Sequence, residues 1–425
     1  MNYLESLYWI HERYKFGIKP GVKRMEWMLD KLDNPQHNIK GIHVVGTNGK
    51  GSTVSYLKNA LIANHYEVGT FTSPYIETFN ERISLNGQPI SDDEIVQLVE
   101  IVKPVSEQLE VETDLGTATE FEIITMMMFV YFGEVHPVDF VIVEAGLGAK
   151  NDSTNVFTPI MSILTSIGLD HTIIIGDTYI DIAKEKAGVI KVGVPLVYAV
   201  KNEDAKEYIN GVVEEKHIKG IKLGRDIQIV QKGDEFTFRY KSYELEAIEL
   251  KMIGAHQQEN AALAIATLLE MYDRGMILLD FNKMIQAIED TTWTGRIEKI
   301  QEHPTIILDG AHNLESIEVL VDTMKSHYAD HKIDVLFSAI DGKPIGRMLK
   351  SLEEISEHFY VTTFDFPKAL PLDTLYEHVE HDKRIKVKDY ADFIRNYDGD
   401  VLLVTGSLYF ISAVKDKLKK INFNI

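Results

Sequence analysis

Between the apolar run Ile42 to Val45 and an amphipathic stretch lies Gly46-Thr47-Asn48-Gly49-Lys50-Gly51-Ser52-Thr53. Glycines let backbone N–H groups approach anionic oxygens, and the start of a helix adds a partial positive charge. Lys50 adds a full charge, and a hydroxyl from the loop can face magnesium. The chemistry is phosphate binding, specifically nucleotide binding. The pattern departs from the generic phosphate loop in that Gly51 separates Lys50 from Ser52.

Other reactive side chains sit where strands should end. Glu144 closes the apolar run Asp139-Phe-Val-Ile-Val, so its carboxylate is expected at a C-terminal strand edge, where ligand crevices of α/β sheets form. A metal ligand fits there, and so does a structural ion pair. His171 follows Asp170 in the same kind of position and reads either as a ligand or as a hydrogen-bonded structural histidine. Lys186 lies in the helical pattern Asp181-Ile-Ala-Lys-Glu-Lys-Ala-Gly-Val-Ile, where a solvated lysine is the plain alternative. Asp309 and His312-Asn313 end a strand-like run, and Arg296 stands in Trp293-Thr-Gly-Arg. Those places suit groups that complete a site when lobes close. Asn260 could also cap or pack within its helix, and Asp309 could simply end its strand.

The elements that must position these groups alternate short β-branched runs with helical patterns, which predicts an α/β fold with a mainly parallel sheet. Expected strands are Ile42 to Val45, Val68 to Thr72, Phe140 to Glu144, Met161 to Ser166 and Leu196 to Ala199. A small antiparallel appendage is expected from Ile227 to Leu250. A second βα series follows, with strands near Thr305 to Leu308, Val335 to Phe337, Phe359 to Thr362 and Val401 to Thr405. Ser91 to Glu94 has capping-box spacing. The expected division is residues 1–295 and 296–425, a P-loop ATPase-type domain and a smaller Rossmann-like C-terminal domain.

Composition narrows the function classes. The chain has 425 residues, 45% hydrophobic, with 44 Lys plus Arg against 65 Asp plus Glu, a formal net charge of −21. Such a balance disfavours nucleic-acid phosphates and anionic membranes as partners. There is no cysteine, so any metal must use oxygen or imidazole ligands. The N-terminus has Glu5 and no apolar h-region, and Ile123 to Phe132 is far shorter than the ~20 residues needed to span a bilayer. A cytoplasmic protein without a membrane span is the expectation, and Ile123 to Phe132 is read as a buried helix.

The loop at Gly46 resembles the variant carried by the Mur ligase family, and the chain resembles its folylpolyglutamate synthase and dihydrofolate synthase branch. Phe71-Thr-Ser-Pro-Tyr75, Phe79-Asn-Glu-Arg-Ile83, Glu144-Ala-Gly-Leu-Gly148, Asp152-Ser-Thr-Asn155, Leu169-Asp-His171, Lys184-Glu-Lys-Ala-Gly188, Asp309-Gly-Ala-His-Asn313 and Thr405-Gly-Ser-Leu-Tyr409 carry it along nearly the whole chain. The resemblance implies that ATP is held by Gly46, Thr47, Asn48, Gly49, Lys50, Gly51 and Ser52, with Asn260, Arg296 and Asp309. It implies that Ser73 and Glu144 hold one Mg2+ and that Glu144 and His171 help hold a second. It also implies a carbamate, N6-carboxylysine, at Lys186, and places His312 near the phosphates or the glutamate.

For a pterin-bearing substrate the expected contacts are Thr119, Phe121 and Asp152, since an aromatic face and a carboxylate suit a flat, hydrogen-bonding heterocycle. Core packing is an equal reading of Phe121. The implied reaction adds L-glutamate to a reduced folate, or to dihydropteroate, through an acyl phosphate, with Lys50, Lys186 and His312 the catalytic candidates. A monomer is expected. Tyr75, Ala149-Lys150, Thr294 and Leu314 depart from the family pattern at positions that bear on substrate preference. Two alternatives remain: a UDP-muropeptide amino-acid ligase, disfavoured because the phosphate loop already opens at Gly46, and a non-catalytic nucleotide-binding switch, which would leave Glu144, His171, Lys186 and Asp309 without work.

Overall fold

The computed structural model describes residues 1–421 and Phe423. Its contacts divide the chain into two compact units. One comprises Met1–Ser73, Phe79–Leu250 and Gln258–Thr291, and the other Pro74–Thr78, Lys251–Gln257 and Thr292–Ile425.

The first unit is built on eight strands: β1 Gly41–Val45, β2 Val68–Phe71, β3 Ile83–Leu85, β4 Gln88–Pro89, β5 Phe140–Glu144, β6 Met161–Leu164, β7 Leu196–Tyr198 and β8 Gly220–Lys222. They lie in the order β4-β3-β2-β5-β1-β6-β7-β8. From β2 to β8 every pairing is parallel, and only the β2–β3 and β3–β4 pairings are antiparallel. Every residue of β1, β5 and β6 is buried, because helices cover both faces of a parallel sheet and leave no position for polar alternation. From β1 the chain runs outward to β2, returns to β5 beside β1, then crosses to β6 on its other side. That reversal is a topological switch point, and it puts the crevice beyond the C-terminal ends of β5, β1 and β6.

Helix starts follow local chemistry. Ser91 and Thr119 close reciprocal capping boxes with Glu94 and Glu122, satisfying N–H groups that a helix cannot pair internally. The helix Glu120–Val130 is buried, with Met126, Met127 and Met128 fully inside, as expected of core-filling methionines. Strands β9 Ile227–Lys232, β10 Glu235–Tyr240 and β11 Tyr243–Glu249 form the antiparallel appendage. It is tied to the helix Ala255–Asp273 by Glu270, whose buried carboxylate accepts hydrogen bonds from Lys219, Lys241, Tyr240 and Arg274. Four donors on that one carboxylate hold its pKa down at about 2, against the upward push of burial.

The second unit holds β12 Glu298–Gln301, β13 Thr305–Leu308, β14 Ile333–Phe337, β15 Ser356–Val361, β16 Arg384–Lys386 and β17 Val401–Thr405. Their order is β12-β13-β17-β14-β15-β16, with β12 alone antiparallel. Within this unit Lys415 is nearly buried and bridges Glu298 at 2.6 Å and Glu77 at 3.2 Å. Replacing it with Met removes this cation from Glu298 and leaves Glu77 with Lys419. Because both are part-exposed, the expected loss is ~1–3 kcal/mol rather than the full cost of a buried unpaired charge. Urea unfolding of Lys415→Met checks this, and a midpoint unchanged from wild type would show that the pair contributes nothing.

Candidate active site

The phosphate loop leaves β1 at the switch point, and its shape is set by the chain that follows β6. Thr165 Oγ1 donates to Asn48 O at 2.6 Å, Asn48 N donates to Ser166 Oγ at 2.8 Å, and Thr47 N donates to Ser166 O at 3.1 Å. Thr47 Oγ1 donates to Gly168 O at 3.1 Å and accepts from Gly168 N at 2.9 Å. Only glycine fits at two points. A Cβ on Gly46 would lie 1.9 Å from Thr165 Oγ1, and one on Gly49 would lie 2.3 Å from Asn260 Oδ1. Gly49 also has φ +84°, where a side chain is strained. Asn260 therefore lies against the loop. The helix Lys50–Ala63 starts directly at the loop, with Gly51, Ser52 and Thr53 buried in its first turn. Lys50 Nζ rests on the loop's own carbonyls, 3.0 Å from Gly46 O and 3.3 Å from Thr47 O.

Glu144 ends β5 opposite Val44 of β1, so its buried carboxylate emerges at the same edge as the loop. Ser73 N donates to Glu144 Oε2 at 3.2 Å, which brings these two predicted residues together. His171 lies after β6 with a left-handed backbone, φ +51°. Its own N–H donates to Asp170 Oδ1 at 2.8 Å, while its ring is part-exposed, 3.9 Å from Asp170 Oδ2.

Lys186 ends the helix Tyr179–Lys186 and is only 3% exposed. Its amine is pulled down to about 7, first by burial and then by the neighbouring charge of Lys50, against the opposing pull of Asp170, Asp152 and Glu185. Glu185, the residue before it, clamps this helix to the Gly146–Asn155 loop. Its carboxylate accepts from Asn151 N at 2.8 Å and Asn151 Nδ2 at 3.0 Å, and its carbonyl accepts from Lys150 N at 2.9 Å.

Three residues were predicted to meet the pterin. Asp152 is buried, and its Oδ2 accepts from Leu147 N at 2.6 Å while Oδ1 accepts from Thr154 N at 3.0 Å. Burial pushes its pKa up, against those hydrogen bonds and Lys50. Phe121 lies 5.8 Å from Phe71, centroid to centroid, and a Cβ on Gly146 would touch its ring at 2.5 Å. Phe121 thus faces the same loop as Asp152. Thr119 spends its side chain capping the helix Glu120–Val130. Its partner Glu122 is in turn held by Arg24 at 2.8 Å.

In the second unit, Asp309 ends β13 and its carboxylate accepts from Ile297 N at 2.9 Å and Ala311 N at 2.8 Å. Burial pushes its pKa up against the pull of Arg296. This fixes the turn that presents Arg296. His312 Nδ1 lies 2.8 Å from Gly310 O, and Asn313 caps the helix Leu314–His327. Thr165, Ser166 and Glu185 are contributors that motif reading does not single out. Among the described residues no group of three or more His, Asp or Glu side chains is arranged to hold a metal. Magnesium takes oxygen ligands, and the Ser73 hydroxyl and the Glu144 carboxylate are of that kind. The orientation of Glu144 by Ser73 fits that requirement.

A phosphate loop at the switch point of one α/β unit, followed in the chain by a second α/β unit, defines a ligase of the Mur type. The Mur ligase middle domain matches residues 44–268, and the Mur ligase glutamate ligase domain matches residues 295–408. The dihydrofolate synthase/folylpolyglutamate synthase of Bacillus subtilis is 43% identical over 428 residues, covering 98% of this chain and 99% of that protein. The crystal structure of folylpolyglutamate synthase from Thermotoga maritima superposes with a TM-score of 0.87 at 30% identity, covering 99% of this chain and 98% of that one. An FPGS–AMPPCP complex gives a TM-score of 0.85 at 32% identity, covering 99% and 100%. The chain belongs to the folylpolyglutamate synthase/dihydrofolate synthase family of the Mur ligases. The expected α/β class and family are both borne out. No helix among the described residues is long and apolar enough to cross a membrane.

Proposed function

We propose that this chain is an ATP-dependent ligase that joins L-glutamate to a reduced folate, and to dihydropteroate, through an acyl phosphate. One observation carries the reading: the phosphate loop leaves β1 at the switch point, and Glu144, held by Ser73 N, ends β5 at the same sheet edge. That edge therefore offers both a phosphate cradle and a carboxylate beside it.

A carboxylate does not condense with an amine at neutral pH, because oxide is a poor leaving group. In the proposed reaction the acceptor carboxylate attacks the γ-phosphate of ATP, giving an acyl phosphate and ADP. The glutamate amine then displaces phosphate, so no side-chain nucleophile is needed. Lys50 leaves its loop carbonyls to neutralise charge between the two anions as they meet, and the loop N–H groups hold the phosphates in line. Ser73, Glu144 and His171 would hold magnesium, with a carbamate on Lys186 as the further support. The ions supply charge neutralisation and orientation of the phosphates. Asn260, Arg296 and Asp309 are assigned to ATP on the family motif, Thr119, Phe121 and Asp152 to the pterin-bearing acceptor, and His312 to the phosphates or the glutamate. We place the reaction in the cytoplasm and assign it to a monomer.

The test supplies ATP, magnesium, L-glutamate and either a reduced folate or dihydropteroate, and weighs the product. A gain of one glutamyl residue is expected with each acceptor, and rapid ATP hydrolysis with every acceptor absent would contradict a gated ligase.

A further inference from the structure

His43 sits in the middle of β1, three residues before the phosphate loop opens, with its side chain wholly buried. Its Nε2 is 2.9 Å from Thr154 Oγ1, and Thr154 Oγ1 is 2.5 Å from Asp152 Oδ1. The three groups form an unbroken line from the strand that carries the nucleotide loop to the loop that faces the acceptor.

The direction of each bond follows from what each group can give. Asp152 already accepts backbone N–H bonds from Leu147 and Thr154, one on each oxygen, which is the pattern of an ionised carboxylate. Thr154 has one hydroxyl proton, and a carboxylate 2.5 Å away takes it. Toward His43 the hydroxyl oxygen can then only accept, so Nε2 carries the imidazole proton and Nδ1 is left with a lone pair. Nδ1 is in fact buried without a hydrogen-bond partner. Burial, aided by Lys191, holds the imidazole down at about 3, so the ring stays neutral and its tautomer does not change near neutral pH. The ring of Phe157, 5.2 Å away, packs against His43 and limits its tilt.

We infer that His43 and Thr154 are positioning residues that aim the Asp152 carboxylate at the pterin-bearing acceptor and set the acceptor loop relative to the phosphate-loop strand. This rests on the assignment of Asp152 to that acceptor. Neither residue touches the reacting atoms, so their loss should weaken acceptor binding while leaving ATP binding and phosphoryl transfer close to normal. A hydrogen bond to a charged group gives the scale, about tenfold in affinity.

The experiment measures kcat and separate KM values for ATP and a reduced folate on the full chain. The variants are His43→Leu, His43→Gln, Thr154→Val, Thr154→Ser, the His43→Leu/Thr154→Val double and Asp152→Asn. His43→Leu and Thr154→Val should each raise the folate KM about tenfold, with the ATP KM within about twofold of wild type. Thr154→Ser keeps the hydroxyl, and His43→Gln returns an N–H near the place of Nε2, so both should recover to within about threefold. The double variant should be no worse than either single, since both cut one line. The relay is overturned if His43→Leu and Thr154→Val leave the folate KM unchanged, if they raise the ATP KM equally, or if their effects multiply. Should His43→Leu fail to fold, the Thr154→Ser and Thr154→Val pair decides alone. An Asp152→Asn enzyme with a wild-type folate KM sinks the acceptor assignment and the relay together. A raised KM in Asp152→Asn beside silent His43 and Thr154 variants sinks the relay only.

Discussion

Replacing Lys50 with Ala is expected to cut product formation by about 10³-fold or more while leaving the fold intact. Two anions must meet in the first step, and the protein's contribution to such a step is almost wholly electrostatic positioning. Loss of one preorganised donor to a developing anion typically costs ~10²–10³-fold, and here the donor also carries a full charge. Stability should barely change, because the Lys50 amine rests on carbonyls of its own loop, Gly46 O and Thr47 O. Lys50→Arg should not restore activity, since the planar guanidinium is larger than the space an ammonium fills between those two carbonyls. Steady-state turnover and a thermal melt of both variants check the pair of expectations. More than half the wild-type rate in Lys50→Ala would contradict the loop's proposed role.

The second large effect concerns Lys186. With its pKa pulled down to about 7, chiefly by burial, Lys186 holds far more neutral amine at neutral pH than an ordinary lysine does. The neutral amine can attack the carbon of CO2, forming an N–C bond and releasing one proton, so a group that could be cationic becomes an anion. That reversal suits a position close to Lys50 and to the proposed ions. Lys186→Ala should lose about 10²–10³-fold in kcat, the scale of losing one electrostatic group at a reacting centre. A short carboxylate such as acetate should restore part of it by occupying the space. Wild-type enzyme stripped of CO2 should lose activity and regain it with bicarbonate. Activity should also fall as pH drops below about 7, because protonation removes the lone pair that carbamate formation needs. Activity indifferent to bicarbonate, with an unmodified lysine in the intact-mass spectrum during turnover, would refute the carbamate.

The parts legible in the sequence were those whose cause is local. Strands β5, β13 and β17 lie at the expected bounds because a strand buried on both faces reads as one uninterrupted apolar run. The capping box at Ser91, and the phosphate loop itself, are likewise written in consecutive residues. Edge strands are less legible. β8 and β16 are three residues long, and each ends in a lysine with little apolar pattern. The β3–β4 hairpin did carry a signal, Asn86-Gly87 with positive φ at both residues, the pairing favoured in tight hairpin turns.

Within the site the same rule holds. Asp152 and Phe121 are visible as residue types in a motif, whereas their supports lie far off in sequence. Thr165 braces Asn48 from 117 residues away, Glu185 clamps Asn151 from 34, and His43 reaches Thr154 across 111. Strand crossovers create those contacts, so no local window contains them. Thr119 differs in that its support is local, since its hydroxyl caps the helix Glu120–Val130.

Activation of the acceptor as an acyl phosphate is the central claim, and oxygen transfer tests it most directly. Acceptor labelled with 18O in its reacting carboxylate is turned over with ATP and glutamate, and the released inorganic phosphate is analysed by mass. The account predicts that each phosphate carries one labelled oxygen from the acceptor. Phosphate free of label, alongside normal glutamyl product, would contradict it.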